Sequence, residues 1–142
     1  MRHYLVVAHR TLVGPHVLTW VQERAAEGPC TFHLVVPVTP SSSLTWTQAE
    51  LHAEATRRLE EGLAALRDLG VDATGEVGDG HPVAAVLDVV NRGEVPIDEI
   101  LLSTLPPGMS RWLRLDAPRR LAQAVAVPVT HLVAPRQADV AS

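Results

Sequence analysis

The stretch Ser103-Thr104-Leu105-Pro106-Pro107-Gly108-Met109-Ser110-Arg111-Trp112-Leu113-Arg114-Leu115-Asp116 follows a strand-like run from Asp98 to Ser103 and leads into a helical reading from Asp116 to Ala126. A loop running from a strand's carboxyl end into a helix is where α/β proteins hold anionic ligands, because helix N–H groups and the helix dipole both favour negative charge there. Two readings of its chemistry compete. If its backbone amides and arginines converge, it is a phosphate site. If Pro106, which has no N–H, and the charge of Asp116 dominate, it is a helix start that excludes phosphate.

Upstream, the same strand-then-helix alternation repeats. Tyr4 to Ala8 is a continuous apolar run, as expected of a strand buried on both faces, and it ends at His9-Arg10. Gly14-Pro15 opens a helix to about Ala26, stopped by Gly28-Pro29. Thr31 to Val38 is a second buried strand. After a polar loop, Thr45 or Thr47 caps a helix in which Leu51, Ala55, Leu59, Leu63 and Leu66 recur at helical spacing, ending at Gly70. Val71 to Val77 alternates weakly, as an edge strand does. Gly78-Asp79-Gly80-His81-Pro82 then turns into a helix from Val83 to Asn91, and Val127 to Val133 closes the series as a fifth strand. Right-handed crossovers make this an α/β, flavodoxin-like three-layer sandwich: a five-stranded parallel sheet of order 3-2-1-4-5 with four helices. Residues 1–135 are expected to form one domain and 136–142 a flexible tail. The ligand-binding switch point of such a sheet lies between strands one and four, which brings His9 and Arg10 beside Ser103 and Thr104.

Composition narrows the chemistry. The chain has 142 residues, 46% of them apolar, enough for one core and too few for two ordinary domains. A net charge of −4 argues against coating nucleic acid. All 12 basic residues are arginine, so neither a Walker-type loop nor a Schiff base has its lysine. Cys30 is alone, which excludes an internal disulfide and a thiolate zinc cluster and fits a reducing cytoplasm. The N-terminal apolar run is too short for a signal peptide and no segment is long enough to span a membrane, so a cytoplasmic location is expected. Trp20 and Trp112 are expected to be packed, and Trp46 to serve as a cap.

The chain resembles the universal stress protein family, within the adenine nucleotide alpha hydrolase-like group, over nearly its whole length. The resemblance rests on the strand order, the long second helix, the loop Gly78-Asp79-Gly80-His81-Pro82-Val83-Ala84-Ala85-Val86 before the third helix, and the closing Val127-Pro128-Val129-Thr130-His131-Leu132-Val133. ATP-binding members of that family carry Gly-x2-Gly-x9-Gly-Ser/Thr after the fourth strand. With that spacing kept, the positions fall here on Ser103, Pro106, Asp116 and Ala117, and all four differ. Asp116 beside a phosphate would cost on the order of 1 kcal/mol or more at intermediate dielectric, and its carboxylate is expected to cap the helix instead. The resemblance implies the fold and a homodimer through the last strand; the changed motif implies a degenerate ATP site.

The candidate ligand contacts are His9, Arg10, Asp79, Ser103, Thr104, Gly108, Ser110 and Arg111, with a small anion as the possible ligand. Arg111, Arg114, Arg119 and Arg120 form the densest positive cluster, although arginines in this pattern also cover apolar surface or pair with carboxylates. None of the seven histidines has the spacing of a metal pair, and no nucleophile elbow precedes a serine. His9 and His81 are expected at the carboxyl edge, and His33 and His131 to face a partner or a helix. The leading expectation is a non-catalytic, universal-stress-like regulatory or interaction domain with no cofactor and no nucleic-acid or membrane partner. The alternative binds ATP, another adenine nucleotide or another anion through a variant loop built from Thr104, Gly108, Ser110 and Arg111. A third reading makes His9 or His81 a general base.

Overall fold

A computed structural model describes residues 1–8, 14–38, 47–94, 96–105, 111–114 and 116–134. Strands β1 (Arg2–Ala8), β2 (Cys30–Pro37), β3 (Asp72–Gly78), β4 (Glu99–Thr104) and β5 (Val129–Val133) form one parallel sheet of order β3-β2-β1-β4-β5. The helices are α1 (Pro15–Glu27), α2 (Gln48–Asp68), α3 (Pro82–Arg92), the single turn α4 (Arg111–Arg114) and α5 (Ala117–Ala124). The expected three-layer architecture with four crossover helices is the observed one; α4 is an addition inside the loop after β4.

Alternation along the central strands divides the core into two layers. Tyr4, Val6 and Ala8 of β1 and Phe32, Leu34 and Val36 of β2 pack against α1 and α2. Leu5, Val7, Val35, Ile100 and Leu102 pack on the other side against α3, α4 and α5. With both faces covered, β1 reads as an unbroken apolar run. Each fully buried Leu or Val contributes roughly 1.5–3 kcal/mol of transfer free energy. The few aromatics are concentrated: Tyr4 stacks on its register partner Phe32 at 5.3 Å, and Trp20 meets Tyr4 edge-on at 5.4 Å. Trp112 is buried in the opposite layer, as packing of both tryptophans requires; Trp46 lies outside the described residues.

Local signals account for the helix limits. Thr47, not Thr45, caps α2: its hydroxyl accepts from the Glu50 N–H at 3.1 Å, and the Glu50 carboxylate accepts from the Thr47 N–H at 3.2 Å. His81 caps α3, whose proline stands in the first turn, and Gly93 ends that helix at φ 67. β3 is an edge strand, but Gly75 within it admits close packing: a Cβ there would stand 2.5 Å from Leu59 Cδ1. The expected tail, residues 136–142, lies outside the described residues.

Candidate functional site at the carboxyl edge of the sheet

The switch point of this topology lies where β1 and β4 run side by side, because the connection after β1 goes to one face and the connection after β4 to the other. Ala8, the last residue of β1, stands in register with Ser103. The residues that follow Ala8, His9 and Arg10, lie outside the described residues, as do Gly108, Ser110 and the Arg111 side chain. Asp79, Ser103 and Thr104 are described, and each has a protein partner.

Ser103 and Thr104 are consecutive in a strand, so their side chains point to opposite faces. Ser103 follows Leu101 toward α1 and is fully buried; His16, on the first turn of α1, places Nε2 2.8 Å from its Oγ. Thr104 follows Leu102 toward the other face and is 1% exposed; His131 of β5 places Nε2 2.8 Å from its Oγ1. Neither histidine is legible as a partner from sequence, because the contacts span 87 and 27 residues. His131, expected to face a partner or a helix, is turned along the sheet instead. His33 is likewise held within the sheet: Nδ1 is 2.7 Å from Thr74 Oγ1 and Nε2 2.8 Å from Glu76 Oε1.

A serine hydroxyl against an imidazole invites comparison with a nucleophile and its base. In such a pair, Nε2 accepts the serine proton while Nδ1–H is held by a carboxylate or carbonyl that fixes the tautomer. His16 Nδ1 is buried and has no partner among the described residues. A bare buried N–H costs more than a bare lone pair, so the favoured tautomer carries its proton on Nε2 and donates it to Ser103 Oγ. That direction is opposite to what base activation needs. Burial also pushes the pKa of His16 below 6.5, as it does for His131, which keeps both rings neutral at physiological pH.

The other candidates are equally committed. The Asp79 carboxylate accepts from the His81 backbone N–H at 2.8 Å, and His81 Nδ1 accepts from the Val83 N–H at 3.2 Å, so this ring is a helix cap. Asp116 corrects its expectation. It occupies the N-cap position of α5 but makes no side-chain cap; its backbone is left-handed at φ 57, and its carboxylate pairs with Arg119. A capping residue normally has extended backbone, from which its side-chain oxygen reaches the N2 or N3 amide, and the left-handed backbone of Asp116 departs from that geometry. Burial first, then the carboxylates of Asp72 and Glu27, push the Cys30 thiol up, leaving it an inert small hydrophobe. Among the described residues no cluster of His, Cys, Asp and Glu is arranged to hold a metal ion, and no helix is long and apolar enough to cross a membrane.

The fold and the edge geometry thus define a parallel three-layer α/β domain whose switch-point hydroxyls are bound by histidines. Comparison with protein-family models and with curated proteins finds no match to this chain.

Proposed function

We propose that this chain is a universal-stress-protein-like regulatory or interaction domain without catalytic activity, whose ATP site between β1 and β4 is degenerate and which pairs as a homodimer through β5. The observation that carries the reading is the state of Ser103 and Thr104: both hydroxyls are buried and both face an imidazole nitrogen at 2.8 Å. The fit of a nucleotide to these residues is poor. Where the resemblance would place phosphate-facing glycines, the chain offers a buried hydroxyl, a proline without an N–H, and an aspartate. That His16 Nδ1 has no partner among the described residues argues against a hydrolytic role for Ser103. For the dimer, β5 is a sheet edge and Val133 on it is 43% exposed, a surface suited to strand pairing.

Calorimetric titration with ATP and magnesium tests the reading: no heat is expected at micromolar concentrations, and micromolar binding would overturn it. Light scattering at micromolar protein should give a dimer mass, and a monomer would remove that part alone. One observation favours the alternative, an adenine-nucleotide or other anion site on a variant loop. Asp116 stands where the third motif glycine would, and its backbone keeps the left-handed conformation that glycine adopts without strain. Under that alternative, Arg111→Ala weakens nucleotide binding by about 1–3 kcal/mol.

A further inference from the structure

The amino edge of the sheet, opposite the switch point, holds a cavity of about 220 Å³ where β1 and β2 begin and α1 ends. Arg2, Tyr4, Arg24, Glu27, Pro29 and Cys30 contribute to its lining. Three of these side chains carry donors with no hydrogen-bond acceptor among the described residues. Tyr4 is 2% exposed and its ring is packed on Phe32 and Trp20, yet its hydroxyl bonds to none of those residues. The charges that bear on that hydroxyl come from Arg2, Cys30, Glu27 and Glu99, all at the amino edge, which places it at the cavity. Burial raises its pKa above the ordinary 10, so the hydroxyl keeps its proton and can donate it. Arg24 lies over the Trp20 ring, 4.8 Å from the centroid, with the Glu27 and Glu99 carboxylates 3.7 and 3.9 Å away: near enough for attraction, too far for a hydrogen bond. Arg2 stands 5.8 Å from the Tyr4 ring centroid and has no carboxylate partner among the described residues.

We propose that this cavity binds a small organic carboxylate, whose oxygens accept from Arg2 and the Tyr4 hydroxyl and whose apolar body lies against Pro29 and Cys30. A guanidinium matches a carboxylate in shape, and the charge-assisted bond is stronger than a neutral one. Pro29 and the neutral Cys30 thiol give the lining its apolar part. A protein cavity of about 150 Å³ holds benzene, so this one has room for a ring and a carboxyl group. Glu27, Glu99 and the carboxyl end of α1 oppose an anion. Glu27 is 60% exposed and screened by water, Glu99 accepts from the Thr130 hydroxyl at 2.8 Å, and Arg24, in the last turn of α1, pairs with both. That leaves the charge of Arg2 for the ligand. The cavity shares no residue with the edge where β1 and β4 end, so it does not depend on the degenerate-site reading.

Benzoate is the probe, titrated at constant ionic strength against chloride, with backbone amide resonances followed by NMR. Saturable shifts are expected at Tyr4, Gly28 and Cys30, with a Kd on the order of a millimolar for a ligand of about nine non-hydrogen atoms. Acetate has the carboxylate without the body, and benzyl alcohol the body without the charge; each should bind roughly tenfold more weakly or worse. Arg2→Ala should weaken benzoate roughly tenfold or more. Tyr4→Phe removes only the hydroxyl and keeps the packed ring, so it should weaken benzoate about threefold to tenfold while leaving the melting temperature near wild type. Arg92→Ala, on the other face of the sheet and paired with Glu76, should leave the titration unchanged. The proposal is overturned if benzoate does not saturate, if chloride, acetate or benzyl alcohol produces the same shifts at the same concentration, or if Arg2→Ala and Tyr4→Phe both bind as wild type does, each of which would mean that water alone answers these donors.

Discussion

Replacing His16 with Gln removes a titrating group while keeping an amide that can still reach Ser103 Oγ. Burial lowers the His16 pKa below its ordinary 6.5, so as pH falls the unfolded chain takes up a proton before the folded one does. The stabilisation from keeping this ring neutral is complete above 6.5 and is lost as pH falls through the folded-state value. Within that window the slope for a single group approaches about 1.4 kcal/mol per pH unit. His131 shifts in the same direction for the same reason, but it is more exposed and solvent screening discounts its share. Glu76 is held below 4.5 chiefly by its hydrogen bond to Arg92, so its stabilisation is present above 4.5 and disappears only in stronger acid. Urea unfolding followed by fluorescence of the buried tryptophans, at intervals from about pH 8 down to about pH 5, separates these contributions. Wild type should lose stability below 6.5, and His16→Gln should show a distinctly flatter limb. Parallel curves for the two proteins would refute the assignment of His16 as a buried neutral ring.

Two further substitutions test the packing and the backbone. Gly75→Ala puts a Cβ 2.5 Å from Leu59 Cδ1 and 2.9 Å from the Leu34 carbonyl oxygen; the leucine can rotate, but the strand oxygen cannot, so a loss of about 1–3 kcal/mol is expected in urea unfolding. A wild-type midpoint for this variant would mean that α2 does not press on β3. At Asp116, Gly relieves the left-handed φ of 57 but adds unfolded-state entropy, and the two terms of about 1 kcal/mol nearly cancel. A β-branched residue relieves nothing, so Asp116→Val should be less stable than Asp116→Gly by about 1 kcal/mol or more, and equal stabilities would contradict the left-handed backbone.

The fold was legible because its signals are local or follow from a general rule. Unbroken apolar runs such as Tyr4 to Ala8 mark strands covered on both faces, and right-handed crossovers leave few ways to order five of them. Helix starts were readable where a proline or threonine sits in a fixed position, as at Pro15 and Thr47. The turn Arg111–Arg114 was missed because four residues are too few to show a period. The failed cap at Asp116 depends on a φ angle, which residue type does not fix. His16 was missed for a different reason: it follows Pro15 in an ordinary helix start, and its importance comes from a strand 87 residues away. The available signal was positional, a polar side chain on the first helix turn after the strand that borders the switch point.

That signal bears on how a nucleotide site is lost. The proposed degeneracy does not rest on missing glycines alone, since backbone amides can be supplied by other residues. What a ligand would meet at the end of β4 is two hydroxyls already bonded, one on each face of the strand, to rings contributed by different neighbours, α1 and β5. Exchanging each bond for one to a ligand forfeits a contact worth about 1 kcal/mol, and two such exchanges weaken binding by roughly thirtyfold before any phosphate contact is made. Restoring glycines to the loop after β4 would leave this cost in place. Freeing the hydroxyls would leave Pro106 and Asp116 in place. Under the proposed reading, recovery of nucleotide binding therefore requires changes at both the loop and the histidines, and recovery from glycines alone would show that the imidazole contacts yield to a ligand without cost.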